Sequence, residues 1–480
     1  MPSLTISIPD PPRGYLPVEN ATASFWHHEP HPLHDTRTTP ELPSSSDIVI
    51  IGAGYAGIAT AYHLQKGEGK KNDLTVTIME ARGVCSGATG RNGGHLRPDL
   101  YGHIPAYMDR AGVEAGLEIA EFELAHLAAI KKVIEKEKIE CEFTLTRTVD
   151  VWINEAAAAE AKATYDVMTA RNLDYMDDVF FSRSADAENV SGVKGAKACA
   201  TYTAATITPY KFVLGLTQVL VDMEAVNIQT HTPVTSVSPH PDGGFSITTP
   251  RGATHAKRVV YANNAHIAGL LPDYRKAIVP CKGICSHVSV PPGTRAPLLT
   301  NSYIIREEDL TLSYLTPKID GSIVVGGANS KYKPFLDQWY NTVDDSTLIK
   351  TGRDHFDGYM QRFFHGWEHT GARVDSLWAG VMGYSFDSNP HIGKLPRETG
   401  AEPHGSSSMP AERAFEEDQF VLAGFNGHGM PVIWLAAQGV ARMITEGVEF
   451  EGTGMPRLFK TTRERIAKSW HGPEGGDILA

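Results

Sequence analysis

Gly52, Gly54 and Gly57 stand in the spacing G-x-G-x-x-G, directly after a short β-branched run at 47–51 and directly before a stretch of helical character at 55–64. Each glycine has a separate job in such a pattern. Gly52 permits the tight turn from strand to helix. Gly54 lacks a side chain, so the backbone there can approach a pyrophosphate, and Gly57 lets the helix pack close to the strand. Tyr55 and Ala56 open the helix, whose free N–H groups and partial positive charge face the phosphates. A second apolar run, 74–79, ends in Glu80, followed by Ala81 and Arg82. Glu80 can accept hydrogen bonds from an adenosine ribose and would repel a 2′-phosphate. The strand, helix, strand and acid together form a βαβ unit that points to dinucleotide binding.

Which dinucleotide follows from the next segment. Ser86, Gly87, Ala88, Arg91, Asn92, Gly93 and Gly94 make a second small-residue loop immediately behind the acid strand. Small residues let a chain lie against a large flat ring. A nicotinamide enzyme has no use for this loop, whereas a flavin enzyme passes its pyrophosphate and isoalloxazine beside it. Late in the chain the pattern returns. A strand at 420–424 ends in Gly424, the turn Asn426, Gly427, His428, Gly429, Met430 follows, and a helix is expected over 431–446 with Pro431 in its first turn.

These motifs resemble the FAD-dependent oxidoreductases of the D-amino-acid oxidase and sarcosine oxidase superfamily, from about Asp47 to Gly447. The SGATGRNGG form is most similar to the gamma-glutamylputrescine oxidoreductase branch and its fungal relatives. The resemblance implies that Val234 meets the adenine through its backbone and that the strand end at Asn263 passes near the cofactor. It implies that the late turn aims a helix N-terminus at the flavin pyrimidine edge, and that the segment from Trp378 to Gly380 and on to Asp387 and Gly393 is the late flavin loop. In the sarcosine oxidase branch a cysteine upstream of the late aspartate binds flavin covalently. That position here is Gly380, so the FAD is expected to be non-covalent. The lysine that holds a substrate carboxylate in that branch is replaced by Pro431, and the oxygen-activating lysine by Val324.

The activity so implied is oxidation of a C–N bond in an amine or amino-acid derivative, with O2 reoxidising the flavin to give H2O2. The alternatives are a dehydrogenase or tailoring enzyme passing electrons from a larger metabolite to another acceptor, and a flavin-binding sensor with no catalysis. His95 and His428 adjoin the flavin loops and are candidates to hydrogen-bond flavin or substrate, or to tune amine protonation. Arg97 suits an anionic substrate end or a surface salt bridge. Lys282 is a candidate for oxygen activation. Tyr303 and Tyr314 suit either a pocket wall or core packing.

A chain of 480 residues, 41% hydrophobic and 21% charged, reads as a globular protein with more than one domain. A net charge of −12 argues against nucleic acid or an anionic membrane surface as partner. Five cysteines, an odd number, indicate free thiols in a reducing compartment, and Cys281 and Cys285 lack the partners of a zinc site, so no metal is expected. No apolar run reaches the roughly 20 residues of a membrane span. Residues 1–4 do not read as a secretory signal and 478–480 are no peroxisomal address, which makes the expected location cytoplasmic. The fold class is α/β (α+β overall), a Rossmann-like FAD-binding domain interleaved with an antiparallel-sheet substrate domain. The expected blocks are an arm at 1–46 with its histidines wrapping the body and Phe25 and Trp26 pinning it, FAD-binding parts at 47–100, 199–273 and 377–450, substrate parts at 101–198 and 274–376, and a polar tail at 451–480.

Overall fold

Ile48 to Ile51 are apolar on consecutive positions because the strand that contains them, Ser45–Ile51, is covered on both faces. It pairs in parallel with Val76–Met79 on one side and Gly252–Tyr261 on the other. Asn227–Gln229 continues the parallel sheet beyond Val76–Met79, and Gln419–Ala423 continues it beyond Gly252–Tyr261. His391–Lys394 closes one edge antiparallel. In this computed structural model, which describes residues 14–67, 73–396 and 419–468, the sheet draws its parallel strands from three separated stretches of chain. Helices Tyr55–Lys66, Pro209–Asp222 and Ile433–Glu446 pack together over it.

A second sheet of nine strands lies beside the first. Its core is Arg373–Ser385, Ile278–Ser289, Ile323–Gly327, Leu312–Pro317 and Ser302–Arg306, antiparallel throughout. Ser302–Arg306 then joins Thr144–Trp152 in parallel, and Thr144–Trp152 joins Ala198–Thr206 antiparallel. His95–Leu96, at the far end of the flavin loop, pairs with the end of Ala198–Thr206. The loop that leaves the first sheet therefore ends as a strand of the second.

Several expected elements are redrawn. Ala198–Thr206, set with the nucleotide sheet by a boundary at 199, pairs in the second sheet; it is buried on both faces, so its composition fits either. Arg373–Ser385 crosses the boundary at 377 and also belongs there. Ile278–Ser289 is one continuous strand. Val113–Glu137 is one long helix, set off from Ile104–Ala111 by Gly112, φ 92°. Lys350–Phe356 and Tyr359–Phe363 are two short turns separated at Gly358, φ 62°. Asn227–Gln229 is a strand of three residues. The last helix starts at Ile433, after Pro431, because the N–H groups of Val432 and Ile433 both donate to the Gly429 carbonyl, at 3.1 and 3.0 Å.

The tail is not merely polar. Met455, Phe459 and Ile466 are buried, and Arg465 grips Asp387 with two bonds of 2.8 Å. In the described part of the arm Trp26 is buried and its indole N–H donates to the Asn92 carbonyl at 2.7 Å. Residues 1–4 and 478–480 lie outside the described residues. Among the described residues no helix is long and apolar enough to cross a membrane, and no cluster of side chains could hold a metal ion.

Two buried imidazoles tie helices together. His126 donates from Nδ1 to the Phe122 carbonyl at 2.7 Å and accepts the Leu435 N–H on Nε2 at 3.1 Å. Burial lowers it to about 4 and lowers His63 to about 3, against an ordinary 6.5. Both stay neutral in the folded chain while the unfolded chain protonates near 6.5, so their contribution is complete above that pH and is lost as pH falls toward 4. The denaturant midpoint is expected to drop steadily between pH 6.5 and 4, and to drop less in His126→Gln. A flat profile would contradict this account.

Candidate active site

The glycine turn is built as tightly as the spacing demands. Gly52 has φ 108°, and a Cβ there would sit 2.8 Å from the Ala262 carbonyl oxygen. A Cβ on Gly57 would meet the Gly52 oxygen at 1.9 Å, so helix and turn touch backbone to backbone. At Gly54 the nearest atom to such a Cβ is Thr89 Oγ1 at 3.5 Å, and the space beyond is cavity. Gly54 offers no side-chain cap to the helix it opens, and the first helical N–H, that of Tyr55, donates to Thr89 Oγ1 at 3.2 Å. Glu80 is fixed by backbone donors, with Ala53 N–H on one oxygen and Arg82 N–H on the other, both at 2.8 Å, which leaves further lone pairs on each.

These groups wall one elongated cavity of about 870 Å³. It runs from Glu80, Ala81 and Val234, past Gly52, Gly54, Tyr55 and Ala56, along Ser86, Gly87, Ala88, Asn92 and Gly93, to His428. Of the residues expected at the cofactor, Gly57, Gly94 and Gly424 do not reach the wall; they set the backbone behind it, the last two at φ 73° and 71°. Ser86 Oγ and Asn263 Oδ1 are among the buried polar atoms of wall residues that have no hydrogen-bond partner among the described residues. A cradle of glycines with a fixed acid at one end and orphan polar atoms along its length fits a dinucleotide.

The side chains of Arg82 and Arg91 line the cavity but spend their donors elsewhere. Arg82 binds Asp345 through Nη1 and Nη2 at 3.0 to 3.1 Å, and Arg91 Nε lies 3.4 Å from the same carboxylate. Arg91 also donates to the carbonyls of Ser86, Thr22 and Ala379 at 2.8 to 2.9 Å. Burial lowers it, opposed by Asp345, to about 10, so it stays charged at neutral pH. Gly380 packs on Arg91, its notional Cβ 3.0 Å from the arginine Cβ. No thiol stands at Gly380; Cys285, the cysteine on the wall, donates or accepts a 2.9 Å bond with Tyr314 OH and is pushed up to about 12 by burial.

The late turn is held by amides. Asn264 Oδ1 accepts from Gly424 N–H at 2.9 Å, and Asn426 Oδ1 accepts from Ser385 N–H at 2.7 Å. Asn426 and Gly427 both have positive φ. Thus Asn426 shapes the turn and lines the cavity together with Gly427, His428, Gly429 and Met430. His428 Nε2 bonds Glu123 at 2.8 Å, and the other donor to that same oxygen is Asp99 N–H at 2.7 Å.

His95 lies on the wall with Nε2 on Ser302 Oγ at 2.7 Å; burial, then Arg97 and His428, hold it well below its ordinary range and neutral. Arg97 is no surface salt bridge. It pairs with Asp150 at 2.8 Å, and that pairing raises it despite burial. Asp150 also takes Tyr101 OH at 2.9 Å and lies 3.8 Å from Arg306, a wall residue that the sequence did not single out. Lys282 is not brought in: its ammonium donates to Thr347 Oγ1 at 3.0 Å, off the cavity wall. Tyr314 lines the cavity opposite Ile304, and Tyr303, one residue off in register, packs on Phe364 in the core behind the sheet.

A family model described as FAD dependent oxidoreductase (DAO) matches residues 47–443. The chain belongs to this family. The oxidoreductase is 20% identical over 416 residues to the gamma-glutamylputrescine oxidoreductase of Escherichia coli (strain K12), covering 84% of each chain. It also resembles the glycine oxidase structure from Geobacillus kaustophilus, with a TM-score of 0.67, 18% identity, and 88% and 99% of the two chains covered. The L-proline dehydrogenase structure from P. horikoshii gives 0.62 and 19%, with 85% and 95% covered. At these identities the structures speak for the fold alone, and they include both an oxidase and a dehydrogenase. FAD is the cofactor of the family, and the cavity described above fits it.

Gly54→Val is expected to fold, since the added atoms enter cavity and not core, and to bind FAD at least tenfold more weakly than the parent. Titration of the apoprotein by flavin fluorescence checks this. Undiminished affinity would mean that the cofactor does not approach the turn.

Proposed function

We propose that this FAD-dependent oxidoreductase oxidises the C–N bond of an amine or amino-acid derivative to an imine, with O2 as the electron acceptor. The observation that carries the reading is the chemistry at the end of the cavity beyond the glycine loops: a histidine–carboxylate pair and an arginine facing one space. Bound FAD would supply the hydride acceptor, and its reoxidation by O2 would give H2O2. The residues proposed to hold it, without a covalent bond, are the glycine turn, Glu80, Ser86 to Gly93, Val234, Asn263, and the late turn from Gly427 to Met430.

The side chains divide the remaining work. An amine must be neutral to give up its hydride, and His428, held by Glu123, is suited to take the proton from a substrate ammonium. Asp150 neutralises Arg97, the closer of its two arginines, which leaves the charge of Arg306 available to a substrate carboxylate. His95, neutral and tied to Ser302, keeps a fixed polar contact at the wall without adding charge. Tyr314, whose phenol burial pushes well above its ordinary range, presents an un-ionised aromatic face.

One observation favours a second reading, a dehydrogenase. No lysine lines the cavity among the described residues, Lys282 is turned away, and Val324 is buried in the core. Under the first reading the cationic help for O2 comes from His428 or Arg306; under the second, another acceptor takes the electrons.

Anaerobic mixing with a panel of amines and amino acids tests the reading. Bleaching of the flavin by at least one of them is expected, followed by stoichiometric H2O2 when air is admitted. Bleaching without peroxide selects the dehydrogenase, and no bleaching by any amine contradicts both. His428→Ala is expected to slow bleaching about 100-fold with FAD still bound; an unchanged rate would remove His428 from the chemistry.

A further inference from the structure

The family match begins at residue 47, yet the cavity wall does not. Gly14, Tyr15, Leu16 and Pro17 line it as well, and the next residue, Val18, is held by Arg82, whose own N–H is bonded to Glu80, which places the stretch at the Glu80 end. Tyr15 is buried, packs with Ala268 and Val343, and its carbonyl accepts from His266 Nδ1 at 2.7 Å. Leu16 beside it is 46% exposed even though it faces the cavity, an apolar side chain with room for a ligand against it. Behind this stretch the arm is fastened to the flavin loop residue by residue. Arg82 donates to the Val18 carbonyl at 3.2 Å and Arg91 to the Thr22 carbonyl at 2.8 Å. Thr22 N–H donates to the Asp345 carbonyl at 2.8 Å, and Thr22 Oγ1 accepts from Ala379 N–H at 2.9 Å. Ser24 Oγ donates to the Gly90 carbonyl at 2.7 Å, and the Trp26 indole to that of Asn92 at 2.7 Å.

We infer that residues 14–17 are part of the FAD site, a strap that covers the adenosine end of the cofactor and retards its release. The fastening is one-sided in a telling way. From Val18 to Trp26 the arm is bonded to the loop that cradles the dinucleotide, so the four residues before it are delivered to the cavity with their backbone already restrained. A strap held this firmly restricts opening of the wall, and opening is what a bound dinucleotide needs in order to leave. By reciprocity, whatever free energy the strap gives to FAD retention, FAD gives to strap closure.

The test uses the full-length chain. In the variant Leu16→Ala, which leaves the buried Tyr15 in place, FAD dissociation on dilution, followed by the rise of free-flavin fluorescence, is expected to be at least threefold faster than in the parent, with the unfolding midpoint of the apoprotein unchanged. Release within twofold of the parent overturns the inference. A second measurement needs no variant: limited proteolysis of the parent with and without FAD, with cleavage sites read by mass spectrometry. Cleavage between 14 and 22 is expected to slow at least tenfold when FAD is present, and equal rates overturn the strap. Because both readouts need only FAD and no substrate, they stand apart from the fate of the amine-oxidation reading.

Discussion

Asp345 carries one buried negative charge for two guanidinium groups of the flavin loop, those of Arg82 and Arg91. Removing one member of a buried ion cluster leaves the others desolvated and unpaired, at a cost of about 3–5 kcal/mol. The cluster therefore fixes the loop from 82 to 91 against the irregular segment that carries Asp345. The backbone of Asp345 serves the same end, since its carbonyl receives Thr22 of the arm. One residue thus joins three parts of the chain that are distant in sequence: the arm, the glycine loop and its own irregular segment between Leu336–Gln338 and Lys350–Phe356. A preorganised wall of this kind binds a rigid cofactor without the entropy loss of ordering a loop.

The far end of the cavity uses the same device with a different balance. Asp150 also has two arginines, but Arg97 takes the close contact and Arg306 the distant one. At Asp345 the surplus charge is absorbed by backbone carbonyls of Ser86, Thr22 and Ala379. At Asp150 no such set of carbonyls is bonded to Arg306 among the described residues, and on the proposed reading the substrate's own carboxylate completes it. The contrast explains how one motif, two arginines on an aspartate, can be structural in one place and suited to recognition in another.

What the sequence disclosed follows from range. Gly52 to Glu80 is one continuous unit whose every constraint is local, so spacing alone located the turn, the close approach and the acid. The small-residue loop and the late turn were legible for the same reason. Asp345, Asp150 and Glu123 were not, because their partners lie 263, 53 and 305 residues away and an isolated acid carries no mark of its partner. Lys282 failed on side-chain direction, and Tyr303 and Tyr314 stayed open between wall and core for the same reason: in a strand adjacent residues face opposite sides, and a shift of one residue moves a group from cavity to core. The boundaries at 199 and 377 failed because Ala198–Thr206, which is buried on both faces, and Arg373–Ser385, which continues past 377, belong to the second sheet. Within the tail, Arg465 was hidden because its target, Asp387, was legible only as part of a flavin loop and not as half of an ion pair.

The central claim is that glycine turns from opposite ends of the chain converge on one non-covalent FAD. Equilibrium titration of the purified apoprotein with FAD, followed by acid precipitation of the loaded protein, tests it directly. The account predicts saturation at one FAD per chain, with all of the yellow colour released to the supernatant by acid. A chain that takes up no FAD, or colour that stays with the precipitate, would contradict it.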